Sequence, residues 1–168
     1  MSVAFPVLIL ITFLSICYQD FKEREVYLLT YFILYGLLLI AVLTNRILLN
    51  IDFIIINSCI LIAVICLLVI YYLLIYSHFA VLKLKASVGW GDVLILPAFV
   101  INFSPVNMIV VFIFSLVISL IYYLFNNFQK LRIKTIPLAG IQSLVLSILL
   151  CADSLGFLKM QVDYFPLF

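Results

Sequence analysis

The sequence predicts an all-α protein, a polytopic membrane helical bundle of six transmembrane helices, and three observations carry that expectation. Hydrophobic residues make up 68% of the 168 residues and charged residues only 10%, with a mean hydropathy of +1.42, far outside the range of water-soluble globular chains. The charges are also segregated: uncharged runs close to the length of about 20 residues that crosses a hydrocarbon core alternate with short segments holding the Lys and Arg residues. Finally, no repeat or low-complexity linker breaks the pattern, so residues 1–168 read as one transmembrane domain, with 153–168 a short tail.

The first span covers 3–18 and lacks the basic leader region and small-residue cleavage site of a secretory signal, so it is expected to be retained. The second covers 26–44. The third, 53–77, is long enough to tilt. The uncharged run after Asp92 reaches Gln129, too long for one helix, and breaks at 102–107, where Pro105 stands among polar turn formers. A short fourth span at 87–103 and a fifth at 108–125 result. The sixth covers 136–152, with Pro137 in the first turn, where a missing N–H costs nothing.

Charge sets the expected orientation. Lys22, Arg24, Lys83, Lys85, Lys130, Arg132 and Lys134 fall in the loops after spans one, three and five, and only Arg46 and Lys159 fall on the other side. Basic loops stay cytoplasmic, which puts both termini outside in a multi-pass protein of the cell inner (cytoplasmic) membrane. The formal net charge of +2 comes from scattered residues that form no phosphate-neutralising patch, so nucleic acid is not an expected partner.

This topology places Asp20 and Asp92 at the cytoplasmic face, the one pair of carboxylates expected to be both membrane-embedded and co-facial. Asp52 and Asp153 belong to the opposite side, Asp52 placed to cap the third helix, and Asp163 lies in the tail. Glu23 and Glu25 alternate with Lys22 and Arg24 as a solvated turn. Asp92 alone reads equally as a helix N-cap. Asp20 does not: at a helix C-terminus its charge opposes the macrodipole, although Lys22 or Arg24 offers a simple ion pair. Gly89 and Gly91 around Trp90 allow close backbone approach beside Asp92, and Pro97 should bend the fourth helix nearby.

Gly89-Trp90-Gly91-Asp92 matches the G-x-G-D motif of the membrane aspartyl proteases, and Asp20 followed by "FKERE" resembles the first-aspartate region of type IV prepilin peptidases and archaeal preflagellin peptidases. The resemblance extends over nearly the whole chain: six spans, cytoplasmic loops, and an "IPLAG" segment at 136–140. It implies that Asp20 and Asp92 are catalytic, that Gly89, Trp90 and Gly91 support them, and that no cofactor or metal is used. It also implies a prepilin-like membrane protein as substrate, with a short basic leader, a Gly before the cleaved bond and an apolar helix after it. The chain departs from the family at Leu94, where a Lys is common, and at Val26, Tyr27 and Leu28, where an "IPN"-like segment is common. It lacks the paired-cysteine loop of the bifunctional members, which implies a peptidase without methyltransferase activity.

Two carboxylates held close in a low-dielectric site share one proton near neutral pH. The ionised member then draws a proton from water, which attacks the scissile carbonyl, and the protonated member hydrogen-bonds the oxyanion and helps protonate the leaving amine. A non-catalytic relative, or a small proton-coupled transporter or assembly subunit, stays open as a second reading. Cys17, Cys59, Cys66 and Cys151 form no C-x-x-C pair and read as small core residues. His78, the only histidine, has no sequence neighbour that would make it a nucleophile's base or a metal ligand. The basic loops read as contacts to lipid headgroups or to an acidic substrate residue, and the tyrosine-rich segments at 70–72 and 121–123 as interfacial belts and packing.

Overall fold

Six α-helices account for most of the residues described by the computed structural model, which are 4–44, 50–76, 89–128, 136–157 and 160. They are α1 (Ala4–Glu23), α2 (Leu28–Leu43), α3 (Ile51–Tyr76), α4 (Trp90–Asn102), α5 (Pro105–Phe128) and α6 (Leu138–Ser154), with no strand among the described residues. The fold class is therefore all-α, and one helix overlaps each expected span. The expectations for Arg46, His78, Lys83, Lys85, Lys130, Arg132, Lys134, Lys159 and Asp163 lie outside the described residues.

The helix boundaries follow local chemistry. α1 continues past the first expected span through Glu23 and stops where Arg24 turns to φ 59°, its N–H donating to the Asp20 carbonyl at 3.2 Å. That left-handed cap is one a β-carbon disfavours by roughly 1–2 kcal/mol. Asn50, rather than the expected Asp52, caps α3: its side-chain oxygen accepts the Asp52 N–H at 3.0 Å. Asp52 instead sits in the first turn, where its charge suits the helix dipole. Pro105 is the first residue of α5, not a turn residue, with the break at Phe103, which is extended, and Ser104. Pro137 is the cap before α6 rather than part of its first turn.

α6 is the central helix. Ala139 to Ser143 and Val145 to Ser147 are all buried, and the helix packs on α1, α4 and α5. Its small residues Ala139, Gly140, Ser143 and Ser147 let α1 come close, the usual device where helices pack in an apolar solvent. The Ser143 and Ser147 hydroxyls donate within α6, to the Gly140 and Leu144 carbonyls. α1 answers with Ile9, Phe13, Ile16 and Asp20, a stripe at helical spacing. Tyr31, Leu34 and Leu38 of α2 and Ile95 and Phe99 of α4 complete the core with Leu146.

α3 is different. Asn57 is its one buried side chain among those described, and between Ile62 and Ile75 every residue except Tyr72 is exposed. Cys59 and Cys66, expected in the core, lie on this exposed surface, because α3 is apolar all round and meets its neighbours only near its N-terminal end. Asn57 makes that contact, donating to the carbonyls of Val100 at 3.1 Å and Phe103 at 2.8 Å at the end of α4. Among the described residues, two stretches, Ile51–Ile75 and Pro105–Asn126, are long and apolar enough to cross a membrane. α2, α4 and α6 are apolar but shorter, at 16, 13 and 17 residues, or about 24, 20 and 26 Å at 1.5 Å per residue.

Candidate functional site

The α1–α2 corner fixes the first aspartate. Gln19 accepts the Tyr27 N–H at 3.1 Å through its side-chain oxygen, tying the turn back onto α1. With Arg24 capping the Asp20 carbonyl, the last turn of α1 is held from both sides and the Asp20 side chain is directed inward, only 8% exposed.

The second aspartate stands in the first turn of α4. Gly89 is the cap residue and offers only backbone: its carbonyl accepts the Asp92 N–H at 3.1 Å. Its own N–H donates to Asp92 Oδ2 at 3.3 Å. The N-cap expected of Asp92 is therefore performed by Gly89, and Asp92 holds the third helical position, a carboxylate reaching back as in half of a capping box. Trp90 is 76% exposed and takes no part in these bonds.

Both carboxylates then meet α6. The Gly140 N–H donates to Asp20 Oδ2 at 2.5 Å, and the preceding Ala139 N–H donates to Asp92 Oδ1 at 2.9 Å. Two acids from distant parts of the chain thus converge on adjacent amides at the positive end of one helix, where N–H groups have no intrahelical partner. Each amide satisfies one carboxylate oxygen, and Asp92 lies within the field of Asp20. A β-carbon on Gly140 would come within 3.0 Å of Asp20 Oδ2 and of the Phe21 ring, so glycine is what allows this approach.

Around the pair, the Phe21 ring packs edge-on against Tyr122 of α5, centroids 5.6 Å apart, closing one side. Tyr31 is buried, its hydroxyl donating to the Gly91 carbonyl at 2.9 Å, and Tyr35 donates to the Leu94 carbonyl. Gln142, one turn beyond Ala139, is 1% exposed, and its side-chain oxygen has no partner. No group of three or more His, Cys, Asp and Glu gathers among the described residues. An open depression of about 320 Å³ on α1, lined by Ile11, Leu14, Ser15, Tyr18 and Gln19, belongs to the helix face opposite Asp20 and not to this site.

No family model matches the chain, and no curated protein or solved structure is significantly similar to it.

The structure brings together Asp20, Gly89, Gly91 and Asp92 and leaves Trp90 aside. Sequence reasoning missed the roles of Ala139, Gly140, Tyr31 and Tyr35. The "IPLAG" segment entered only as a resemblance, and the donors in it are backbone amides, which any residue but proline supplies. The signal for the tyrosines was their spacing, two phenols four residues apart in an otherwise largely aliphatic helix.

Proposed function

We propose that this chain is a membrane-embedded aspartic endopeptidase of the prepilin peptidase type, removing the basic leader from prepilin-like membrane substrates at the cytoplasmic face, with Asp20 and Asp92 as its catalytic dyad. The observation that carries the reading is the convergence of these two carboxylates on the Ala139 and Gly140 amides. Six helices cross the bilayer in this reading. The exposed apolar surface of α3 and the seven-to-two distribution of basic residues support it. The short α2, α4 and α6 suit a locally thin bilayer, and the dyad lies at the helix ends, at the depth of a substrate bond just outside its own membrane helix.

In this site the dyad shares a proton. The ionised carboxylate takes a proton from water, whose oxygen bonds to the scissile carbonyl carbon. The protonated carboxyl donates to the developing oxyanion, and collapse of the tetrahedral intermediate breaks the C–N bond as the amine gains a proton. The Ala139 and Gly140 amides hold the two carboxylates in place. A second reading, a non-catalytic relative, is favoured by those same bonds, because two carboxylates at a helix N-terminus also make a stable structural anchor.

Co-expression with prepilin-like proteins, following leader loss by mass, decides between them. Cleavage by the natural chain that disappears in Asp20→Asn and in Asp92→Asn, with both variants inserted in the membrane, is expected. A cleaving Asp20→Asn variant would sink the dyad, and no cleavage of several substrates by the inserted natural chain would favour the anchor.

A further inference from the structure

We infer that Tyr31 is a positioning residue for Asp92, assisted by Tyr35. Two phenols one turn apart on α2 hold the first two turns of α4 by the Gly91 and Leu94 carbonyls and so fix where the Asp92 carboxylate stands. The inference rests on the peptidase reading for its effect on cleavage, but its geometry stands apart from that reading.

The turn that carries Asp92 has little support of its own. It begins at a glycine that offers no side-chain cap, contains a second glycine at 91, and precedes Pro97, which deprives the Val93 carbonyl of its helical donor. The Asp92 carboxylate is itself divided between the Gly89 and Ala139 amides. Outside help arrives at Gly91 and Leu94, the positions that bracket Asp92, in the form of the Tyr31 and Tyr35 hydroxyls.

The hydroxyl, not the ring, is what Tyr31 contributes. It is 2% exposed in a helix of Leu, Ile and Phe, where phenylalanine would pack as well, and a buried O–H without an acceptor is costly. Gly91 makes room for it: a β-carbon there would stand 3.2 Å from the Tyr31 hydroxyl oxygen, closer than its contacts with Ala139 at 3.6 Å and Val26 at 3.8 Å. The second glycine of G-x-G-D and the phenol of α2 therefore form a matched pair. The same hydroxyl is bonded to the residue that precedes Asp92 in the chain, which puts it beside the carboxylate.

The test uses the full chain reconstituted in liposomes, with Tyr31→Phe, Gly91→Ala and the double variant. Kinetics of leader cleavage, amide hydrogen exchange and labelling of Asp92 by a hydrophobic carbodiimide are followed together. Tyr31→Phe is expected to lower kcat about 10- to 100-fold with KM nearly unchanged, the penalty of a misplaced reacting group. Exchange over 89–95 should quicken about tenfold for the lost bond, with α1 and α6 unchanged, and the rate of Asp92 labelling should change. The double variant should be less impaired than the two single effects combined, because removing the hydroxyl relieves the added methyl. Unchanged exchange over 89–95 in Tyr31→Phe, strictly additive variants, or a kcat loss matched by faster exchange in every helix would each overturn the inference. A natural chain that cleaves nothing would refute the peptidase reading alone, and exchange, labelling and additivity of the variants in exchange would still judge Tyr31.

Discussion

Gly140→Ala should destabilise the protein, although the same change in most helix interiors stabilises it. Replacing glycine by alanine within a helix gains roughly 0.5–1 kcal/mol through backbone entropy. Gly36 in α2 is such a place, with nothing within 4 Å of an added β-carbon. At Gly140 the added carbon would stand 3.0 Å from Asp20 Oδ2, 3.0 Å from the Phe21 ring and 3.1 Å from Asp20 Cβ. The carboxylate can swing away only by giving up the 2.5 Å bond from the Gly140 amide, and Asp20 Cβ moves only with α1. Overpacking of this kind costs typically about 1–3 kcal/mol, and a weakened charged hydrogen bond adds about 1 kcal/mol or more. Set against the entropic gain, a net loss of about 1–3 kcal/mol is expected for Gly140→Ala and a gain below about 1 kcal/mol for Gly36→Ala. Thermal unfolding of both variants in the same detergent, followed by far-ultraviolet circular dichroism, measures the difference. A Gly140→Ala protein as stable as Gly36→Ala would refute the close approach of α1 to α6, and with it the geometry of the site.

Three further outcomes follow from the helix ends. Asn50→Ala should cost about 1 kcal/mol, the usual worth of an N-cap, and more than Asp52→Ala does; a larger loss for Asp52 would return the cap to that residue. Asn57→Ala removes two donors from the last turn of α4. It should lower stability by about 1–3 kcal/mol at 0.5–1.5 kcal/mol per bond, and an unchanged melting temperature would mean that α4 holds its own C-terminus. Pro97→Ala restores a donor for the Val93 carbonyl, so the amide at 97 should exchange slowly, and fast exchange there would mean that the helix does not close over that position.

The two aspartates were legible because the background is silent: in a chain with seven acidic residues, two on the same expected side, each at the end of an apolar span rather than among alternating charges, stand out. Their common receiver was not legible. The amides of Ala139 and Gly140 carry no side-chain signature, and only the three-dimensional meeting of α1, α4 and α6 shows that Gly140 must lack a β-carbon. Tyr31 and Tyr35 were hidden by their ring chemistry, since tyrosine in an apolar helix reads as packing or as an interfacial belt until an acceptor is found for its hydroxyl. The cap of α3 was ambiguous for a simpler reason, as Asn50 and Asp52 are both good caps two residues apart, and local sequence does not say which one the helix begins after.

The misplacement of Cys59 and Cys66 has a more general cause. In water, apolar periodicity separates inside from outside; on the membrane reading proposed above, lipid is as apolar as a protein core, so hydrophobicity stops encoding burial. α3 is the extreme case: nearly every residue is apolar and most of those described are exposed. What encodes burial in such a chain is small size and polarity. α6 carries Ala139, Gly140, Gln142, Ser143 and Ser147 and is the most enclosed helix, and the one buried side chain among those described in α3 is its asparagine. Read by that rule, the polar residues mark contacts: Asn57 marks where α3 meets α4, and Ser143 and Ser147 mark where α6 takes α1. The site follows from the same physics. An aspartate inside an apolar helix must find donors, the nearest unsatisfied donors are the first amides of another helix, and two aspartates that answer to the same helix start are thereby brought together.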